Sequence, residues 1–330
     1  EDLKGNFSFK RAKKLLLDNG YHSDKNKIFS GFESYIRKLE ENGQIKTAES
    51  YRSTQNKLKK FSPDLTYFQV TPEFLESFED WLIIEKGKSI TTLAIYLRNL
   101  RTILNRALDS ELITRKNYPF GKGKYIIPTG RNVKKALTID QIRAIKDFYT
   151  VPGSPREKAK DFFMFSYLAN GINFKDIARL RNENIIGNQI HFVRAKTMRT
   201  RKDYTTIKAM FRPETIEILE KWRNPDRSPK AYLFPILSDG LTAKQETRRI
   251  QDFIKKTNDK LKKIGEELKL PIKLTTYVAR HSFATISIKK GGLPIEDISE
   301  ALGHTSLNTT RIYIDSFDDK TIKQIADSLL

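Results

Sequence analysis

Ala301-Leu-Gly-His-Thr-Ser-Leu-Asn-Thr-Thr-Arg-Ile-Tyr313 is the stretch on which the reading of this chain turns. Ile295, Ile298 and Leu302 fall on one helical face, and Gly303 suits the left-handed residue that closes a helix. Ser306 or Asn308 offers a start for the next helix, so the pattern predicts His304 at a turn and Tyr313 on the helix that follows. Taken alone, a tyrosine between Ile312 and Ile314 reads as core packing, and a lone histidine reads no differently. Their company upstream gives them another meaning.

Thr276-Tyr-Val-Ala-Arg-His-Ser-Phe-Ala-Thr285 places Tyr277 and Arg280 three apart, hence on one side of a helix whose Val278, Phe283 and Ile286 pack elsewhere. A planar guanidinium holds two phosphate oxygens at once. Further back, Gln189–Thr197 reads as a strand with Ile190, Phe192, Arg194 and Lys196 on one face and His191, Val193 and Ala195 on the other. The first face turns from apolar to cationic along its length. Two solvated charges on a basic protein would look the same, and the strand alone leaves that alternative open.

The chain is basic throughout: 61 Lys and Arg stand against 40 Asp and Glu in 330 residues, a net charge of +21. Such a field favours a polyanion, bound with strong salt dependence. Cysteine is absent, which excludes disulfides, thiolate metal sites and thiol catalysis and fits a reducing cytoplasm. Four scattered histidines without an H-x-x-x-H or H-E-x-x-H pair offer no closed ligand set, so neither a metal nor a cofactor is expected. No apolar run approaches the roughly 18 residues of a membrane span.

Length argues for two domains. Apolar residues at helical spacing run through Phe29, Phe32, Tyr35, Ile36 and Leu39, through Phe74, Leu75, Phe78, Trp81 and Leu82, and from Leu93 through Tyr96, Leu97, Leu100, Ile103 and Leu104. We assign 25–116 to one small helical domain. Residues 117–134, with Pro119, Gly121, Gly123, Pro128 and Gly130 and with Lys122 and Lys124 as DNA-facing charge, read as an interdomain linker. The second domain, 135–330, opens on the capping-box sequence Thr138-Ile-Asp-Gln141. It is helical apart from a small antiparallel sheet built from Ile185-Ile186, Gln189–Lys196 and Thr205–Met210. A final helix is expected after Asp318-Asp319, with Ile322, Ile325, Ala326 and Leu329 as its apolar stripe.

In combination these motifs resemble the tyrosine recombinase family, with a box of the form H-x-x-R-H, a later L-G-H and a nucleophile nine residues on; Leu302-Gly303-His304 and Tyr313 match in identity and spacing. The resemblance extends over nearly the whole chain, residues 25–115 being similar to the family's SAM-like core-binding domain. It implies a mainly α protein: a helical SAM-like domain followed by a mixed α/β catalytic domain, mostly helical with a small antiparallel sheet. The wording of Tyr277-Val-Ala-Arg-His-Ser-Phe-Ala-Thr285 looks most like integrases of Bacteroides-type mobile elements. Residues 1–24 are then expected to be the remnant of an arm-binding domain.

Two positions depart from the family pattern. The first arginine of T-G-x-R-x-x-E-L falls on Asn173 in Asn170-Gly-Ile-Asn-Phe-Lys-Asp-Ile177, and Tyr277 stands where histidine is commoner. A lost transition-state donor costs about 2.7–4 kcal/mol, so compensation is expected, and Arg194 is the candidate. Tyr277 still donates a hydrogen bond but cannot carry imidazolium charge.

By resemblance, Tyr313 is the nucleophile and Arg280 and Arg194 stabilise the phosphorane, with Tyr277 as an added donor. Lys196 protonates the leaving oxygen and a neutral His304 helps remove the phenolic proton. His281 is read as a structural hydrogen-bonding residue or phosphate contact. The expected partners are double-stranded DNA, three further copies in a tetramer on paired sites, and DNA-bending accessory proteins, with no membrane and with a cytoplasmic, nucleoid-associated location. A type IB topoisomerase-like enzyme, a DNA invertase, and a catalytically silent DNA-binding protein of the same fold remain as alternatives.

Overall fold

The computed structural model describes residues 27–130, 136–195, 206–289, 291–304, 306–311 and 327. Contacts divide the chain into two compact units, Glu1–Asn132 and Val133–Leu330.

The first unit is helical. Helix α1 (Ile28–Glu41) buries Ile28, Phe29, Phe32, Ile36 and Leu39, the stripe its spacing predicts. Helix α2 (Ile45–Phe61) carries a weaker signal, because Thr54 and Gln55 sit in its buried stripe beside Ala48, Tyr51 and Leu58. Both polar groups are paired: Asn99 Nδ2 donates to Thr54 Oγ1 at 2.9 Å, and Gln55 Nε2 donates to Phe29 O at 3.3 Å. Helix α3 (Pro72–Asp80) starts on a Thr71 cap and runs into a π-helical turn, Trp81–Glu85. Ser89 caps α4 (Ile90–Asp109), which buries Leu93, Leu97, Leu100, Ile103 and Leu104.

The stretch read as a linker is tied to this unit near its start, since Phe120 and Tyr125 lie in the same core. Lys124 Nζ is held by the carbonyls of Arg115, Lys116 and Tyr118.

The second unit opens as the sequence predicts. Gln141 N–H donates to Thr138 Oγ1 at 3.3 Å and Thr138 N–H to Gln141 Oε1 at 2.9 Å, so both arms of the capping box form at the start of α5 (Ile139–Asp147). Helix α6 (Pro155–Leu168) is the centre of the core: Phe162, Phe163, Met164 and Phe165 are all buried on it. Around it pack α8 (Pro213–Trp222), α9 (Ala243–Glu267) and α10 (Thr276–Lys289). Between α6 and α8 come the short α7 (Phe174–Ile177) and the sheet, and α11 (Ile295–Ala301) and α12 (Leu307–Arg311) follow α10.

The sheet has the order β1-β2-β3, all antiparallel: β1 (Ile185–Ile186), β2 (Gln189–Phe192) and β3 (Ile207–Met210). A two-residue turn joins the first pair, with Gly187 at φ 58° in its first central position, where an L side chain would be strained. The expected strand is longer than the observed one. Its ladder ends at Phe192↔Ile207, and three residues on the Ala195 N–H donates to Asp176 Oδ1 at 3.0 Å, outside the sheet. Arg194 therefore does not belong to the strand, and its direction is set by that turn rather than by β alternation. Thr205, Lys196, Tyr313 and the expected C-terminal helix from Asp318 to Leu329 lie outside the described residues, apart from Asp327.

Candidate active site

Three segments far apart in sequence converge around one guanidinium. Arg280 sits on α10 with only 3% of its surface exposed, so each of its donors must find an acceptor. Nη1 donates to Gly171 O at 2.9 Å, and Nη2 donates to Leu302 O at 2.6 Å. The Nη2 atom also lies 3.1 Å from His304 Nε2.

The loop after α6 is shaped for this approach. Gly171 has φ 64°, and a Cβ there would lie 3.0 Å from the Cα of Arg280, so a side chain is disfavoured both by conformation and by space. Its neighbour Asn170 also takes a positive φ, 55°, and donates from Nδ2 to Lys208 O on β3 at 2.9 Å.

The end of α11 supplies the other side. Gly303 N–H donates to Glu300 O and His304 N–H to Ser299 O, with Gly303 at φ 60°, which is the paired bonding of a Schellman ending. That ending fixes the backbone of His304 and aims the Leu302 and Gly303 carbonyls inward. Ser306 Oγ then accepts from Asn308 N–H at the start of α12. His304 Nδ1 lies 2.8 Å from the hydroxyl oxygen of the buried Thr310.

Arg194 arrives at the same carbonyls. Its Nη1 donates to Gly303 O at 3.0 Å and to Leu302 O at 3.3 Å. The Leu302 carbonyl is thus shared by Arg194 and Arg280, which brings two planar, donor-rich cations to one place. A Cβ on Gly303 would lie 2.8 Å from Arg194 Cδ, so this glycine also makes room for that side chain.

Asp176 supports the arrangement from behind: it is buried and accepts the Ala195 N–H of the turn that carries Arg194. Burial pushes its carboxyl above the ordinary value, opposed by the Ala195 hydrogen bond and by the charges of Arg194, Arg280 and Arg179. Asp176 stands three residues after Asn173, at the acidic position of the motif quoted above, so its signal was present in the sequence. Gly171 O and Leu302 O had none, because a backbone acceptor has no residue signature.

The other candidates are distributed around this cluster. Tyr277 is 48% exposed and meets the ring of the buried His281 edge-on, with centroids 4.3 Å apart. Asn173 caps α7, its Oδ1 accepting from Lys175 N–H at 3.1 Å, so the residue at the usual first-arginine place has a local structural task. Among the described residues no group of three His, Asp or Glu side chains comes together as a metal site, and no helix is long and apolar enough to cross a membrane.

Comparison with known proteins gives this geometry a family. Residues 27–125 match the phage integrase SAM-like domain and residues 135–320 the phage integrase family. A tyrosine recombinase of Thermosipho africanus is 24% identical over 302 residues, covering 89% of this chain and 95% of the relative. Tyrosine recombinase XerC of Leptospira interrogans is 23% identical over 318 residues, covering 91% and 92%. Among solved structures, the Tn1549 transposon integrase in complex with a circular intermediate DNA has TM-score 0.61 at 15% identity, covering 92% of this chain and 99% of that one. The XerH recombinase bound to a palindromic difH substrate has TM-score 0.59 at 17% identity, covering 96% and 93%. At these identities the structures speak for the fold, whereas the family match spans more than half of the chain: the protein belongs to the phage integrase family, the tyrosine recombinases.

Proposed function

We propose that this recombinase integrates and excises a mobile element by cutting DNA with Tyr313 and rejoining it through a 3′-phosphotyrosine. The observation that carries the reading is the convergence of Arg280 and Arg194 on the Leu302 carbonyl with His304 Nε2 against Arg280, His304 standing nine residues before Tyr313. A phosphodiester entering beside this cluster finds donors for its non-bridging oxygens already oriented by fixed carbonyls, so little reorganisation accompanies charge development.

In this mechanism the Tyr313 oxygen bonds to phosphorus as the 5′ oxygen leaves. Arg280 and Arg194 hold the pentacoordinate phosphorane, with Tyr277 as a further donor from its exposed position. Lys196 gives its proton to the leaving oxygen, and the cations around the phosphate, with a neutral His304 beside Arg280, ease loss of the proton to solvent from a phenol whose ordinary pKa is about 10. The bond energy is conserved in the phosphotyrosine, so the cycle needs no cofactor. His281, buried beneath Tyr277, orients that ring.

Arg194 replaces the guanidinium that Asn173 lacks. Its support is convergence with Arg280 on one carbonyl, while the Asn173 oxygen is committed to capping α7. Arg194→Ala is expected to slow single-turnover cleavage by about 10²–10³, the usual cost of one lost transition-state donor. Cleavage at the parental rate would remove Arg194 from the mechanism.

The working form is a tetramer on paired DNA sites, assisted by DNA-bending proteins, and the wording of Tyr277–Thr285 favours an integrase of the Bacteroides mobile-element type. A second reading is motivated by Asn173 itself: a DNA-binding protein of this fold that no longer cuts. It predicts site-specific binding with no covalent adduct. Relaxation of supercoils without a specific site would instead favour topoisomerase-like action.

A further inference from the structure

The contact between Arg280 and His304 fixes more than a distance. A guanidinium has donors only, so His304 Nε2, 3.1 Å from Arg280 Nη2, must accept. An imidazole that accepts at one nitrogen is neutral and donates from the other, so the proton is on Nδ1 and is donated to Thr310 Oγ1 at 2.8 Å. Thr310 has 0% of its surface exposed, which keeps water from taking its place as acceptor. A proton on Nε2 would set an N–H against the guanidinium, and protonating both nitrogens would add a second cation beside Arg280.

We propose that Thr310 is a positioning residue of the recombination site, accepting from Nδ1–H and so anchoring His304, in the tautomer that Arg280 selects, with its Nε2 lone pair turned toward Arg280. The backbone of His304 is set by its bond to Ser299 O and the choice of ring nitrogen by Arg280, so the Thr310 hydroxyl supplies what remains, an acceptor that keeps the Nδ1–H satisfied and the ring turned that way. Thr310 also stands three residues before Tyr313 in sequence, so one hydroxyl ties the imidazole to the segment that carries the nucleophile. The tautomer rests on geometry alone; its consequence for DNA cleavage rests on the function proposed above.

The test compares Thr310→Val and Thr310→Ser in the full chain by nitrogen NMR of the histidine rings and by single-turnover cleavage at saturating DNA. The parent protein and Thr310→Ser are expected to show a protonated Nδ1 and a bare Nε2 at His304. Thr310→Val should shift the Nδ1 signal, its acceptor gone, and cleave about 10–100-fold more slowly with DNA affinity unchanged, as expected of a small misplacement near reacting atoms. Thr310→Ala removes the same hydroxyl without a second methyl and gives the same reading should Thr310→Val not fold. A parental Nδ1 signal in the folded hydroxyl-free variant would overturn the proposal, as would cleavage at the parental rate by that variant. If the parent protein forms no adduct on any junction, the functional reading fails while the nitrogen shifts still decide what Thr310 does to His304.

Discussion

Helices α1 and α10 have the same length, fourteen residues, but differ in what they bury. On α1 the buried residues are Ile28, Phe29, Phe32, Ile36 and Leu39; on α10 they include Thr276, Arg280, His281 and Ser282 beside Val278, Ala279 and Ala284. The first helix is held by apolar area, a non-directional force that tolerates repacking. The second is held by directed bonds, Arg280 to the carbonyls of Gly171 and Leu302 and Ser282 Oγ accepting from Leu137 N–H at 2.9 Å. Removing a member of such a set leaves a buried partner unsatisfied. Stability of the first unit and chemistry of the second are therefore separable by substitution.

The sharpest way to break the comparison starts in the first unit. Phe32→Ala should cost about 3–5 kcal/mol, measured as a shift of the denaturant transition of that unit. Arg280→Lys should reduce single-turnover cleavage by about 10²–10³, because one ammonium cannot reproduce a planar fork spanning two carbonyls and a phosphate. A parental rate in that variant would place α10 with α1, as packing alone. Gly171→Ala sets a Cβ 3.0 Å from Arg280 Cα at φ 64° and should lose about 1–2 kcal/mol in a thermal melt, with a matching fall in cleavage.

The smallest effect concerns Asp176. Burial raises its carboxyl in the folded chain, so the stability it contributes is complete below the ordinary carboxylate value of about 3.9 and is lost as pH rises through the raised one. Asp176→Asn keeps an acceptor for Ala195 N–H and removes the titration. Melts of the two proteins from acid to neutral pH should show the parent losing ground to the variant as pH rises; a constant gap would contradict a raised carboxyl.

The same contrast explains what was legible in the sequence. Stripes such as Phe29, Phe32, Ile36 and Leu39 report burial directly, and the Thr138 capping box and the Gly303 ending announce themselves by residue type. Helix α2 was muted because Thr54 and Gln55 occupy its inner face, their polarity answered by partners from α1 and α4 that no local pattern reveals. The strand was read past its end, since Arg194 and Lys196 continue the alternation while the ladder stops at Phe192 and the Ala195 N–H binds Asp176. Arg280 and His304, which the structure brings together, stand out in the sequence by their motif. Thr310 carries no signal that sets it apart from other threonines, and the Leu302 carbonyl that joins the two arginines belongs to the backbone, on which residue patterns are silent.

The most direct test of the account is covalent capture on DNA carrying the element's own end junction, comparing the parent protein with Tyr313→Phe. The account predicts a denaturant-resistant protein–DNA adduct that disappears in Tyr313→Phe while specific DNA binding persists in both. Specific binding by the parent protein with no adduct would contradict it, and would make the cluster at the Leu302 carbonyl a phosphate-holding site without a cut.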